Sequence, residues 1–277
     1  MHFGAAVDAY QQVPRYRFNG SERIDNITDW ALGQFEAHYS SQVRDAALDR
    51  HGRAGRRPRP GHPRLAETEE TWMAGPIPGS RPGTAMTEKG NQGRPITRDA
   101  IFHYVYGVLH DPAYREKYAL NLKREFPRIP FYADFWRWAE WGERLMRLHI
   151  GYETVEPWPI RRIDIADERA RRAGLAPRTM LRADKNAGAI LLDSETQLGG
   201  IPKEAWDYRL GNRSALEWVL DQHKEKTPRD PTIRERFNTY RFADHKERVI
   251  DLLMRVTRVS VETMEIVSAM RAASDLR

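Results

Sequence analysis

Thr97-Arg98-Asp99-Ala100-Ile101-Phe102-His103-Tyr104-Val105-Tyr106-Gly107-Val108-Leu109-His110-Asp111-Pro112 is the stretch on which the reading of the fold turns. Its apolar positions Ile101, Phe102, Val105, Val108 and Leu109 recur at three- and four-residue steps, the period of a helix with one buried face. Thr97-Arg98-Asp99-Ala100 supplies a cap. Asp111-Pro112 ends this helix and starts the next, because proline is tolerated at a first helical position but not inside a helix. The second helix carries Tyr114, Tyr118 and Leu122 and stops before Pro127. Pro130 precedes a third, from Phe131 to His149, which holds Phe135-Trp136-Arg137-Trp138-Ala139-Glu140-Trp141 together with Leu145 and Leu148. Positions 138, 141, 145 and 148 share one stripe, with 136 off it. Rings at this density anchor a core or an interface, since each buries a large apolar area. The three helices make a compact unit over residues 97–150.

Upstream, residues 1–44 form a lead segment with one helix. Asp25-Asn26-Ile27-Thr28-Asp29-Trp30 opens it, with Asn26 or Thr28 as N-cap. Residues 45–96 change character: Gly, Pro and Arg dominate, as in Arg53-Ala54-Gly55-Arg56-Arg57-Pro58-Arg59-Pro60. So few apolar groups cannot offset the entropy of ordering, and a disordered insertion is expected.

Downstream, residues 152–202 are strand-rich. Pro157-Trp158-Pro159-Ile160, Thr179-Met180-Leu181-Arg182, Ala189-Ile190-Leu191-Leu192 and Gln197-Leu198-Gly199-Gly200-Ile201 are too short for helices and lie between turns. Residues 203–277 return to helix. Ser214-Ala215-Leu216-Glu217 has capping-box spacing, and two amphipathic segments follow at Asp244–Arg255 and Val261–Arg271. The fold class is α+β, mostly helical, with a small antiparallel sheet in the middle.

The composition excludes several chemistries. The 277 residues contain no cysteine, which removes disulfide frameworks, thiol nucleophiles and thiolate zinc sites. No apolar run approaches the ~18 residues of a membrane span, and the first residues lack a signal-peptide pattern, so a cytoplasmic protein without a membrane partner is expected. Phosphate-loop, dinucleotide-turn and nucleophile-elbow motifs are absent, as is the Asn/Asp-Pro-Pro-Tyr loop of amino methyltransferases.

Two weak metal candidates arise. His103 and His110 share a helix face with Asp111, but about 10 Å of rise separates them, and packed or capping histidines are the plainer meaning. Asp193-Ser194-Glu195 pairs carboxylates after a strand, but no lysine follows as in common nucleases, so a turn residue and a solvated acid are expected. No catalytic residue and no metal site is assigned.

Charge points elsewhere. The chain carries 45 Lys and Arg against 39 Asp and Glu, a net +6. The basic residues recur near loops and strand edges: Lys123-Arg124 with Arg128, Arg161-Arg162, Arg169 with Arg171-Arg172, and Lys185-Asn186. Arginine forks suit phosphates and guanine edges, and asparagine suits adenine. Lys123, Arg124, Arg128, Arg161, Arg162, Lys185 and Asn186 are therefore the candidate DNA-binding residues.

The blocks Asp25–Leu32, Asp99–His110, Tyr114–Tyr118, Pro127–Pro130, Leu148–Glu153, Gly200–Pro202, Asn212–Val219 and Val259–Met264 resemble, in the same order, the C-terminal region of single-chain type ISP restriction–modification enzymes. In that family a nuclease, an ATP-driven translocase, an adenine-N6 methyltransferase and a DNA specificity domain share one polypeptide. The resemblance implies that this chain is the specificity (target-recognition) part. Its partners would be double-stranded DNA and a methyltransferase/helicase portion encoded upstream. The S-adenosylmethionine, ATP and Mg of the parent family would be held outside this chain. The pattern departs from the family in lacking those upstream parts and in the insertion between Tyr39 and Ile96, as expected of a truncated product. The competing expectation is an interaction remnant that packs on a methyltransferase or helicase through an aromatic surface without reading DNA.

Overall fold

The structure, a computed structural model, describes residues 14–52, 94–225, 230–231 and 240–274, with side chains up to residue 40 in the first span. Of residues 45–96, expected to be a disordered insertion, 45–52 are helical instead, and 53–93 lie outside the described residues. The chain divides into two compact units, Met1–Met146 with Met270–Arg277, and Arg147–Ala269. The described residues are α+β, mostly helical, with small antiparallel sheets. No helix among them is long and apolar enough to cross a membrane.

The first unit opens with a hairpin of β1 (Tyr16–Asn19) and β2 (Glu22–Asp25) where only a helix was expected. Arg15 bonds Asp25 and, at 2.6 Å, Asp99, while Arg98 pairs with Asp29, so ion pairs fasten both the hairpin end and the residue that opens the first helix to Arg98-Asp99. Helix α1 (Asp29–Gly52) is capped by Thr28, whose hydroxyl accepts from the Ala31 amide at 3.2 Å. Asn26 instead donates to the Pro14 carbonyl at 2.8 Å.

Helix α2 (Arg98–His110) has the expected Thr97 cap. Asp111 then caps α3 (Pro112–Lys117), which is shorter than expected: it ends at Lys117, and a 3-10 turn at Asn121–Lys123 replaces the run to Leu122. Helix α4 (Phe135–Ile150) likewise begins later than Phe131. The Tyr132 amide is spent on the Tyr104 hydroxyl at 2.7 Å, and the Asp134 carboxylate accepts from the Arg137 amide at 3.0 Å, which sets the helix start.

Tyr104 is the hub of this unit. Its buried hydroxyl donates to the Pro130 carbonyl at 2.7 Å, and its ring stacks on Phe135 at 5.1 Å and meets Phe35 edge-on at 5.5 Å. Trp138 and Trp141 are buried along the expected stripe. Trp136, expected off it, is buried too, with the Arg94 guanidinium 3.9 Å over its ring.

The second unit is built on a four-stranded antiparallel sheet in the order β3 (Arg161–Asp164), β6 (Thr196–Gly199), β5 (Ala189–Asp193), β4 (Thr179–Asp184). The strand expected at 157–160 is displaced to Arg161–Asp164. Pro157 and Pro159 offer no amide for a ladder, and the amide of Trp158 donates to the Met254 carbonyl instead, at 3.0 Å. Short helix α5 (Glu168–Arg172) follows β3, and a two-residue ladder of β7 (Arg209–Leu210) and β8 (Arg213–Ser214) precedes α6 (Ala215–Gln222). The Ser214–Glu217 capping box is present as expected. The two segments expected near the end are one 33-residue helix, α7 (Phe242–Ser274). One sheet face, through Ile190, Leu192 and Leu198, joins Leu216, Val249 and Leu253 of the helices in a single core.

Candidate nucleic-acid interface

The ladder sorts the basic residues by face. Paired residues stand side by side on the same face of a sheet, and faces alternate along each strand. The row Ala183, Ile190, Leu198, Arg162 contains the core residues. The row Arg182, Leu191, Gln197, Ile163 therefore lies on the outer face, as does the end row Asp184, Ala189, Gly199, Arg161. Arg161 and Arg162, adjacent in sequence, thus point to opposite sides.

Their electrostatic fates differ accordingly. Arg162 reaches Glu247 of α7 and Asp164, each at 2.8 Å, and these acids raise its pKa, the Glu247 bond foremost. Arg161 and Arg182 are exposed and have no ion-pair partner among the described residues. Gln197, half-buried, stands between them in the ladder order. The turn from β4 to β5 carries exposed Lys185 and Asn186, with the Lys185 ammonium 3.0 Å from Glu217. Because Asp184, Ala189, Gly199 and Arg161 form one row, this turn and Arg161 share one end of the sheet. Three interstrand spacings, roughly 14 Å, separate its edges.

The other expected residues belong to the first unit. Lys123 and Arg124 are exposed at the 3-10 turn, and Arg128 lies 3.3 Å from Glu125. Exposed Leu120 and Phe126 flank them. The seven expected residues therefore fall in two groups, 123, 124 and 128 in one unit and 161, 162, 185 and 186 in the other. Arg182 and Gln197 were absent from that expectation. Their signal was available only through strand register, which decides the face.

Asp111, Asp193, Glu195 and His110 are occupied in the fold. Asp193 accepts from the amides of Glu195 and Thr196, at 2.9 and 2.7 Å, and pairs with Lys246 at 2.7 Å. Glu195 is not the solvated acid expected: it accepts from the Asp167 amide at 2.9 Å and pairs with Arg171 at 2.8 Å. Both bonds, that to Arg171 first, hold its carboxyl below the usual range. His110 holds the Tyr106 carbonyl at 2.7 Å. Among the described residues no group of three or more acids and histidines could hold a metal ion.

Residues 1–252 match the family described as Type ISP C-terminal specificity domain, which is not a catalytic domain. Among solved structures, the chain is similar to the cryo-electron microscopy structure of a DrdV–DNA complex, with 48% identity and a TM-score of 0.68. That match covers 92% of this chain and 21% of the DrdV chain. It also shares a fold with the ATP-dependent type ISP restriction–modification enzyme LlaBIII bound to DNA, at 24% identity and a TM-score of 0.50, covering 63% of this chain and 11% of that one. No curated protein matches it.

Proposed function

The chain belongs to the type ISP C-terminal specificity domain family, and from that membership we propose that it is a target-recognition module, binding duplex DNA sequence-specifically and directing adenine-N6 methylation and restriction. The observation that carries this reading is the outer face of the four-stranded sheet. There Arg161 and Arg182 stand exposed with no ion-pair partner among the described residues, while Arg162 and Lys185 are engaged by Glu247 and Glu217. Exposed arginines left unpaired in this way suit a polyanion. The DNA-bound state of DrdV, 48% identical over most of this chain, supports the choice of duplex DNA.

In this reading S-adenosylmethionine, ATP and Mg serve a methyltransferase and translocase portion outside this chain, and the protein works with its DNA in the cytoplasm. The competing reading, docking on such a portion without reading DNA, relied on an aromatic surface. Trp136, Trp138 and Trp141 are buried, so that reading loses the tryptophan cluster and keeps the exposed rings of Phe18, Trp30, Phe126 and Trp218.

Titration of a labelled duplex with the purified chain at two salt concentrations tests the proposal. Each phosphate neutralised contributes about -0.9 to the log–log salt slope, so a handful of contacts gives a slope of several units. Binding absent at low salt, or insensitive to salt, would leave the docking reading as the survivor.

A further inference from the structure

Resting on the DNA-binding reading above, we infer that Arg182 is a specificity-determining residue that reads a guanine edge.

The argument begins with an irregularity in β4. Thr179 pairs with Asp193 and Arg182 with Leu191, so Met180 and Leu181 together stand opposite Leu192 alone. This is a β-bulge, one extra residue inserted into one strand of an antiparallel pair. Its strain is visible at Leu181, which has a φ of 43°, in the left-handed region that a branched side chain enters at a cost.

The bulge decides where Arg182 points. Without the extra residue, Arg182 would pair with Ile190 and share its face, which is the core. A shift of one residue exchanges the two faces of a strand. With the bulge, Leu181 is buried in the core cluster, Arg182 emerges on the outer face, and Ala183 returns to the row of Ile190 and Leu198. The strained leucine therefore re-aims one arginine.

Fixed aim favours base contact over phosphate contact. A phosphate needs only a cation within reach, and Arg161, on an unstrained edge position of the same face, already supplies one. A guanine edge needs a planar fork held in orientation, to meet O6 and N7 together. The surroundings of Arg182 leave its fork free for such an edge. Its ladder neighbours Leu191 and Gln197 carry no charge, and Asp184, two residues along, spends a carboxylate oxygen on the Ala187 amide at 3.0 Å.

The test is selection from a randomised duplex pool by the full chain and by Arg182→Ala, Arg182→Lys and Arg161→Ala, each sequenced and titrated. The parent should enrich a motif containing a fixed G·C pair. Arg182→Ala should lose that one preference by about 5- to 150-fold, keeping the rest of the motif. Arg182→Lys, which keeps the charge but not the fork, should lose part of it. Arg161→Ala should weaken all sequences alike and flatten the salt slope by about 1. An unchanged motif in Arg182→Ala, uniform weakening there, or full preference in Arg182→Lys would each overturn the inference while leaving DNA binding standing. A parent chain that binds no duplex would overturn the DNA-binding reading and this inference with it.

Discussion

Gly142 shows how a single residue sets the packing of the first unit. A Cβ there would lie 1.8 Å from the His103 carbonyl oxygen, and one on Gly107 would lie 2.6 Å from the Trp138 carbonyl. Helices α2 and α4 thus approach backbone to backbone, with no flexible side chain to yield. Overpacking in a core typically costs about 1–3 kcal/mol. Gly142→Ala should reach or exceed that range, because the helices themselves must separate, and urea denaturation of the variant against the parent measures it. Trp138 gives the complementary case. It is buried, edge-on to Trp141 at 5.1 Å and tilted against Tyr132 at 4.4 Å. Trp138→Ala should cost roughly 3–5 kcal/mol, most of it from the cavity and the lost contacts. A variant as stable as the parent that fails to bind a partner would show the ring to be an interaction surface. The tryptophan was legible in the sequence as part of a helical stripe. The glycine was not, because a close approach leaves no periodic signal in the chain that makes it.

Elements were legible wherever periodicity and capping agreed. The Thr97 cap and the Ser214–Glu217 box sit where the spacing put them, and β4, β5 and β6 follow their apolar runs. The misreadings have local causes. The β1–β2 hairpin is mostly exposed and shows no apolar alternation to find. Helix α7 looked interrupted between Arg255 and Val261, where Thr257 and Ser260 fall. Both hydroxyls instead bond the carbonyls four residues back, at 2.7 Å each, so the helix passes through. At the far end of the sheet, a polar network ties elements together: Lys246 donates to the Thr196 hydroxyl at 2.6 Å, and that hydroxyl donates to Asp164 at 2.6 Å. The Thr196 bond, aided by Arg162, holds Asp164 below the usual carboxylate range, as Arg171 holds Glu195. Acids with a depressed folded pKa stabilise fully above their unfolded pKa, about 4, and lose that contribution as pH falls through the folded value. The melting temperature should therefore hold between pH 7 and 5 and drop below about 4. Arg171→Gln, which removes the main cause of the Glu195 shift, should make that acid-side decline shallower. An identical decline in parent and variant would show that the pair does not contribute.

For the whole molecule, the sequence carried the class of function further than the geometry of the site. Net charge and clustered bases suggested a polyanion partner, but Arg161 and Arg162 read as one patch until the ladder placed them on opposite faces. Arg182 needed the bulge at Leu181, which only the register reveals. What the chain lacks was legible throughout: no phosphate loop, dinucleotide turn or methyltransferase Pro-Pro-Tyr loop occurs among its 277 residues. The match also spans 21% of the DrdV chain. Recognition and chemistry should accordingly be separable. Supplied with S-adenosylmethionine, ATP and magnesium, the purified chain should transfer no labelled methyl group to duplex DNA and leave plasmid DNA uncut, at protein concentrations where the labelled duplex is bound. A group that binds a base edge still needs a cofactor pocket and a positioned acceptor to transfer a methyl group, and the outer face of the sheet offers charges and amides without them. Incorporation of label above a protein-free control would refute this and move the search for a catalytic site into this chain.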